Sequence, residues 1–309
     1  MKGTYLTGLE GTNPLGFLAA LGVQVAFAKK SEPLRLWWSD DITPRAIVDE
    51  KFTVERIAEQ TLKVLGRWKE SIAVKPQRPD GSAMPKGDEL KLMPEDIKSY
   101  LEHATQDGLG GDLATALVAE GSLDNQGVAK PSDLYFTAGQ QKFLGTVRKI
   151  MGAVVHEDLV TDMTGPWCYA SELPSLGWDI ADDRVYALRA KNPSPEKKRT
   201  NPGAEALAIL GLSLHPVYAG NGRTLTNGCS GTWKSGRYTW PLWCKPASPG
   251  TVKSLLAHAS HQNPPRDSHQ RHLWYRSWGV TTVFQSSIRR SNQGGYGTFG
   301  PPEIVWQAR

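Results

Sequence analysis

The first strong pattern along the chain is the glycine loop Gly8-Leu9-Glu10-Gly11-Thr12 running through Asn13-Pro14 into Leu15–Phe27, where nearly every residue is apolar or small. Asn13 has the side chain of an N-cap and Pro14 suits the first helical position, so a helix over 14–28, buried on every side, is predicted. Gly16, Ala19, Ala20 and Gly22 carry little or no side chain and allow neighbouring backbones to come close. A glycine loop ahead of a helix also suits a phosphate, because free N–H groups and the helix dipole both favour an anion there. The stretch therefore reads as an ordinary cap on a core helix or as a contact to a nucleic-acid backbone.

Leu34–Trp38 predicts a short strand closed by Ser39-Asp40-Asp41. Val54, Ile57, Ala58, Thr61, Leu62, Leu65 and Trp68 recur at helical spacing, with Glu55, Arg56, Glu59, Lys63 and Lys69 on a solvated face. Lys75–Lys91, broken by prolines and glycines, predicts an exposed flap. Helices follow near Pro94–Ala104 and Gly111–Ala119, then a polar connector over Gly121–Ser132, then a helix from Gly139 to about Val155. From Asp158 the texture predicts strands and turns: a strand over Asp182–Arg189, an exposed basic loop over Asn192–Pro202, and a strand over Tyr238–Trp243. Helices are predicted there only over Gly203–Leu214 and after Ser248-Pro249, and the chain beyond Leu273 reads as extended, with a basic tip at Ile288–Gly297. The predicted fold class is α+β, a helix-rich N-terminal half (1–157, organised on the 14–28 helix) packed on a strand-rich, basic C-terminal half (158–309), the two sharing one core.

The chain has 309 residues, 39% hydrophobic and 22% charged, enough for a sizeable core in one large domain or two ordinary ones. The apolar run falls short of the roughly 20 residues that cross a bilayer, and no signal-peptide pattern precedes it. Cys168, Cys229 and Cys244 form no C-x-x-C and no even framework, which points to a reducing compartment. A cytoplasmic protein without membrane contact is expected.

Charge changes the picture. Between Ala206 and Arg309 the only acids are Asp267 and Glu303, against eleven Lys and Arg, in a chain whose total is +5. Interleaved are Trp233, Trp240, Trp243, Trp274, Trp278, Tyr275 and Tyr296. Cations neutralise phosphates and planar rings stack on bases, so the mixture suits a nucleic-acid face. A basic surface over a Trp-rich core is the competing reading. As a face, Lys197, Lys198, Arg199, Arg289 and Arg290 are backbone clamps, joined by Lys234, Arg237, Arg276, Asn292 and Gln293. Gln140, Gln141 and Lys142 are candidates for base or phosphate contact.

Catalytic signals are sparse. His258-x-x-His261 and His269-x-x-His272 have the residue type for a transition metal, but Arg266 and Arg271 repel a cation and no H-E-x-x-H is present. Asp179, Asp182 and Asp183 read as cation ligands or as turn caps paired with Arg184. Cys229-Ser230 lacks a nucleophile elbow, and there is no P-loop. No enzyme, no metal and no cofactor are expected; a metal-dependent nuclease and a protein–protein scaffold are the alternatives.

Four segments also resemble a known family. Leu9–Gly22, Tyr135-Phe136-Thr137-Ala138-Gly139-Gln140-Gln141-Lys142-Phe143-Leu144, the set Trp178-Asp179, Asp183–Leu188 and Gly203–Ala208, and Trp240-Pro241-Leu242-Trp243 are similar, in order, to blocks of large-subunit-like proteins of CRISPR type I-G (formerly I-U) systems. The resemblance implies a non-catalytic subunit of a Cascade surveillance complex in antiviral defense. Such a subunit sits with CRISPR RNA-containing partners, binds target double-stranded DNA, reads its flanking motif and recruits the helicase-nuclease. At 33.9 kDa the chain is short for a large subunit, and no C-terminal helical bundle is evident.

Overall fold

Helix α1 (Pro14–Ala26) is apolar all round, and twelve of its thirteen residues are buried. Asn13 caps it as its sequence predicts, Oδ1 accepting from the Leu15 N–H at 3.0 Å. A computed structural model describes the chain over residues 2–108, 110–137, 141–182, 199–220, 223–258, 268–291 and 296–308. It is an α+β fold with a helix-rich N-terminal half packed on a strand-rich, basic C-terminal half.

One side of α1 meets α7 (Pro202–Leu212), whose eleven residues are all buried. The two backbones are in contact through glycine: a Cβ on Gly22 would stand 1.8 Å from the Leu207 carbonyl oxygen, and one on Gly211 2.0 Å from that of Leu18. Another side of α1 meets two antiparallel sheets. The first holds β1 (Gly3–Glu10), β2 (Leu36–Trp38) and β3 (Arg45–Asp49) in the order β1-β3-β2. The second holds β6 (Cys229–Ser230), β7 (Arg237–Trp243), β8 (Val280–Arg290) and β10 (Glu303–Gln307) in the order β10-β8-β7-β6, with β9 (Gly297–Phe299) also on β8. Leu36 and Ala247 exchange backbone hydrogen bonds of 3.1 and 3.0 Å, tying β2 to the chain that leaves β7. Gln24, the buried polar residue of α1, closes this junction by donating Nε2 to Ala247 O at 2.8 Å and Leu34 O at 3.2 Å.

Around this centre lie α2 (Val54–Trp68), α3 (Pro94–Gln106), α4 (Gly111–Leu117), α5 (Phe143–Ala153), α6 (His156–Thr164), α8 (Pro249–Leu256), α9 (Ser268–Ser277) and the hairpin β4 (Val217–Gly220)–β5 (Arg223–Thr226). The buried core is one cluster reaching from Leu6 to Trp306. The start of α7 is capped from outside itself. Asn201 precedes it but accepts from the Tyr169 N–H instead, and Asp162 of α6 accepts from the Ala204 N–H at 3.0 Å. Among the described residues no helix is long and apolar enough to cross a membrane.

Several sequence expectations are corrected. β1 and β3 are strands where the residue pattern predicts none, because β1 merges into the glycine loop and β3 is five residues long. Helix α6 occupies the start of the region that reads as strands and turns, and α9 occupies the start of the stretch that reads as extended. The Lys75–Lys91 flap is packed rather than loose: Met84 and Leu90 are buried, and Arg78 forks onto the buried Asp96 at 2.9 and 3.1 Å. The strand expected over Asp182–Arg189 falls almost wholly outside the described residues.

Two stability predictions follow from this packing. Gly22→Ala and Gly211→Ala force backbone apart and should each cost about 3 kcal/mol. Gly66→Ala, in α2 with no heavy atom within 4 Å of the new methyl, should instead stabilise by about 0.5–1 kcal/mol in urea unfolding. The second concerns His215, fully buried behind α7 and hydrogen-bonded through Nε2 to Tyr238 Oη at 2.8 Å. Burial pulls its pKa down from 6.5 to about 4. The unfolded chain therefore takes up this proton first as pH falls, so the contribution is full above about 6.5 and is lost towards pH 4. Unfolding free energies at pH 7 and 4 should differ by about 3 kcal/mol more in wild type than in His215→Gln.

Candidate nucleic-acid interface

Side chains alternate along β8, and the two faces of its sheet have different fates. Phe284, Ser286 and Ile288 point inward with Tyr238 and Trp240 of β7, which pair with Ser286 and Phe284. Gln285, Ser287 and Arg289 point outward. At the Val280–Val283 end α9 covers the outer face: Trp306, opposite Val283, packs its ring 4.8 Å from that of Tyr275. At the other end the face is open. Arg237 stands opposite Ser287 and donates Nη1 to Gln285 Oε1 at 3.2 Å, and Gln285 passes the order on by donating Nε2 to Thr239 Oγ1 at 2.9 Å. Arg289, two residues along β8 from Ser287, is on the same face at the diagonal position, roughly 7–8 Å away between Cα atoms.

The β6–β7 turn carries Trp233 and Lys234 at this end of the sheet, with the Trp233 ring on the Arg290 side of β8. Trp233 is 53% exposed and Tyr296, at the foot of β9, 43%. The Arg290 guanidinium lies 4.0 Å from the Trp233 ring centre and donates to Tyr135 O at 3.0 Å and Asp133 O at 2.8 Å. Burial lowers its pKa, with Asp133 opposing. Of the neighbouring arginines, Arg289 faces outward and Arg290 is spent on holding residues 133–136.

The other candidates are scattered. Gln141 is half-buried and donates Nε2 to Ser175 O at 2.8 Å; Lys142 is exposed at the start of α5. Arg199 is exposed, donating to Ala170 O at 3.1 Å and 4.0 Å from Glu172. Arg276, in the last turn of α9, lines a cleft of about 320 Å³ with Lys245 and Trp278. That cleft holds the start of β8, roughly 30 Å along the strand from Arg289. Gln140, Lys197, Lys198, Asn292 and Gln293 lie outside the described residues.

The aromatic half of the sequence reading is corrected. Trp240, Trp243 and Tyr275 are buried. Trp240 Nε1 donates to Gly11 O at 2.8 Å and Trp243 Nε1 to Leu36 O at 2.7 Å, so both indoles join β7 to the α1 layer. Phe17 of α1 packs between them, 6.2 and 6.4 Å from their ring centres. Trp274 and Trp278 are half-buried against each other and His258. Among the described residues no single groove of indoles runs along the C-terminal third.

The His258 ring lies 4.2 Å from that of Trp278 and the His272 ring 5.5 Å from that of Trp306, while His261 is outside the described residues. Among the described residues no group of three His, Cys, Asp or Glu is placed to hold a metal. Asp179 instead accepts from Asn13 Nδ2, Tyr169 Oη and the Ala181 N–H, each at 3.0 Å. Cys229 is buried, and burial raises its thiol well above the ordinary value, away from thiolate chemistry.

Residues missed from sequence are Gln285 and Ser287, and the basic cleft of about 430 Å³ lined by Lys75, Lys86, Lys142 and Arg148. Strand alternation carries the first two once β8 is drawn; the second needs the packed flap. Arg290→Ala should cost about 2–3 kcal/mol in thermal or urea unfolding, while Lys234→Ala stays within about 0.5 kcal/mol of wild type. No protein-family model matches the chain, and no curated protein matches it.

Proposed function

We propose that the protein is a non-catalytic subunit of a CRISPR type I RNA-guided surveillance complex, and that it binds nucleic acid through the open end of its C-terminal sheet. The observation that carries the nucleic-acid part is the pair Arg237 and Arg289 on one outward face, with Lys234 and the exposed Trp233 in the turn that leads into Arg237, in a third of the chain almost without acids. Guanidinium groups on diagonal positions, roughly 7–8 Å apart at their Cα atoms, suit successive phosphates, and the bare ring suits a base.

The subunit assignment rests on the sequence resemblance and gains support from where its blocks lie. Asn13 of the first block bonds Asp179 of the third. Trp178 donates Nε1 to Leu134 O at 2.9 Å, beside the second block, and meets Phe143 edge-on. Trp240 of the fourth reaches Gly11 of the first. Residues that carry a family likeness are expected to form such a connected unit when they set a shared fold.

Duplex DNA and single-stranded RNA should bind with an affinity falling linearly in log salt. The Lys234→Ala/Arg237→Ala/Arg289→Ala variant should lose up to about three units of that slope. Anisotropy titrations between low and moderate salt check this, and a flat dependence in wild type would remove the interface. Co-expression with neighbouring gene products should retain a short guide RNA; a chain that purifies alone removes the subunit assignment.

A further inference from the structure

A second site lies where the chain passes from β1 into α1. The β1–β3 ladder shifts register between Leu6 and Glu10, so residues 7–9 bulge away from β3. Beside the bulge opens a cleft of about 870 Å³, within the roughly 300–1,000 Å³ range of small-ligand sites. Its walls come from β1, the α1 cap, β3, the segment after α6, Ile180-Ala181 and Pro301.

Three features of this cleft point to one ligand class. Arg45 donates Nη1 to Thr7 O at 2.5 Å and Glu10 Oε1 at 2.7 Å, which sets a guanidinium and a carboxylate side by side with Nη2, Nε and Oε2 left for another partner. Trp167 forms part of the wall, its Nε1 fixed on Asp162 O at 2.9 Å. Tyr169, ring centre 6.5 Å from that of Trp167, holds a left-handed φ of 50°, a conformation that bulky L side chains rarely adopt. Two bonds enforce it, the N–H to Asn201 Oδ1 and Oη to Asp179. Strained backbone kept in place by buried polar partners beside a cleft marks a surface shaped for binding.

An adjacent donor and acceptor next to an indole match the edge and face of a nucleobase. Guanine fits best, because O6 accepts from Arg45 while N1–H and N2–H donate to Glu10. Pro301 lines the cleft, and the preceding Gly300 lies against the Arg289 guanidinium, so the cleft opens next to the proposed phosphate track. We propose that it receives one unstacked nucleobase, guanine by preference, from a strand held on the Arg237–Arg289 face. The link to a strand rests on the function proposed above; the base site itself does not.

The test uses the full chain and small probes in calorimetric titration. GMP should bind saturably, IMP roughly tenfold more weakly for want of the N2 donor, and ribose 5-phosphate not at all. Glu10→Gln keeps an acceptor for Arg45 and should weaken GMP at least tenfold with an unchanged melting temperature; Trp167→Phe should weaken all nucleotides while preserving the preference. Ribose 5-phosphate binding as well as GMP, no saturable GMP binding by wild type, or unchanged GMP affinity in Glu10→Gln each overturns the base site. GMP binding with salt-independent oligonucleotide affinity keeps the base site and removes the sheet-face reading, whereas the converse removes the base site alone.

Discussion

The contact of α1 with α7, backbone against backbone, is the constraint on which the remaining architecture depends. With Gly22 and Gly211 in place the helices approach until carbonyl oxygens touch the opposite backbone, so no side chain separates them. Dispersion contacts at that range are dense, and neither helix has a polar face to turn towards water. Everything else is layered on this pair: two sheets on one side, α2, α5 and α6 on others. Asp162 completes it by supplying the cap that α7 lacks, and burial raises that carboxyl to about 6.

This central pair also accounts for the tryptophans. A helix with no polar side needs large apolar partners, and Trp38, Trp240 and Trp243 provide them around Phe17. The Trp240 and Trp243 N–H groups end on backbone carbonyls, so these two indoles bury their area with the donor paired, whereas Trp38 Nε1 is buried without a hydrogen-bond partner. Two indoles of the C-terminal third, Trp240 and Trp243, thus serve core-building. Its shortage of acids is a separate property that belongs to the surface.

Legibility from sequence followed the strength of local signals. The 14–28 helix, the Gly203 helix and the Tyr238–Trp243 strand were readable because composition and caps agree there. β1 was not, since a strand whose pairing partner lies some forty residues on leaves no periodic trace of its own. α6 begins with His156-Glu157-Asp158, polar enough to resemble a turn, and owes its place to α7 and β1. At the site, charge and residue type pointed to Arg237 and Arg289, but a run such as Arg289-Arg290 cannot say which member faces out. Strand alternation decides that, and it assigns opposite tasks to identical side chains. The cleft beside Arg45 was illegible because its walls come from five separated segments.

The Trp233–Arg290 stack has one more consequence. Most exposed aromatic side chains sample several rotamers, and a binding partner must freeze them at an entropic cost. Here the guanidinium beneath the ring is itself clamped by two carbonyls, so the indole rests on an immobile shelf. Whatever settles on its outer face meets a surface whose disorder was removed when the chain folded, and that cost is borne by folding rather than by affinity.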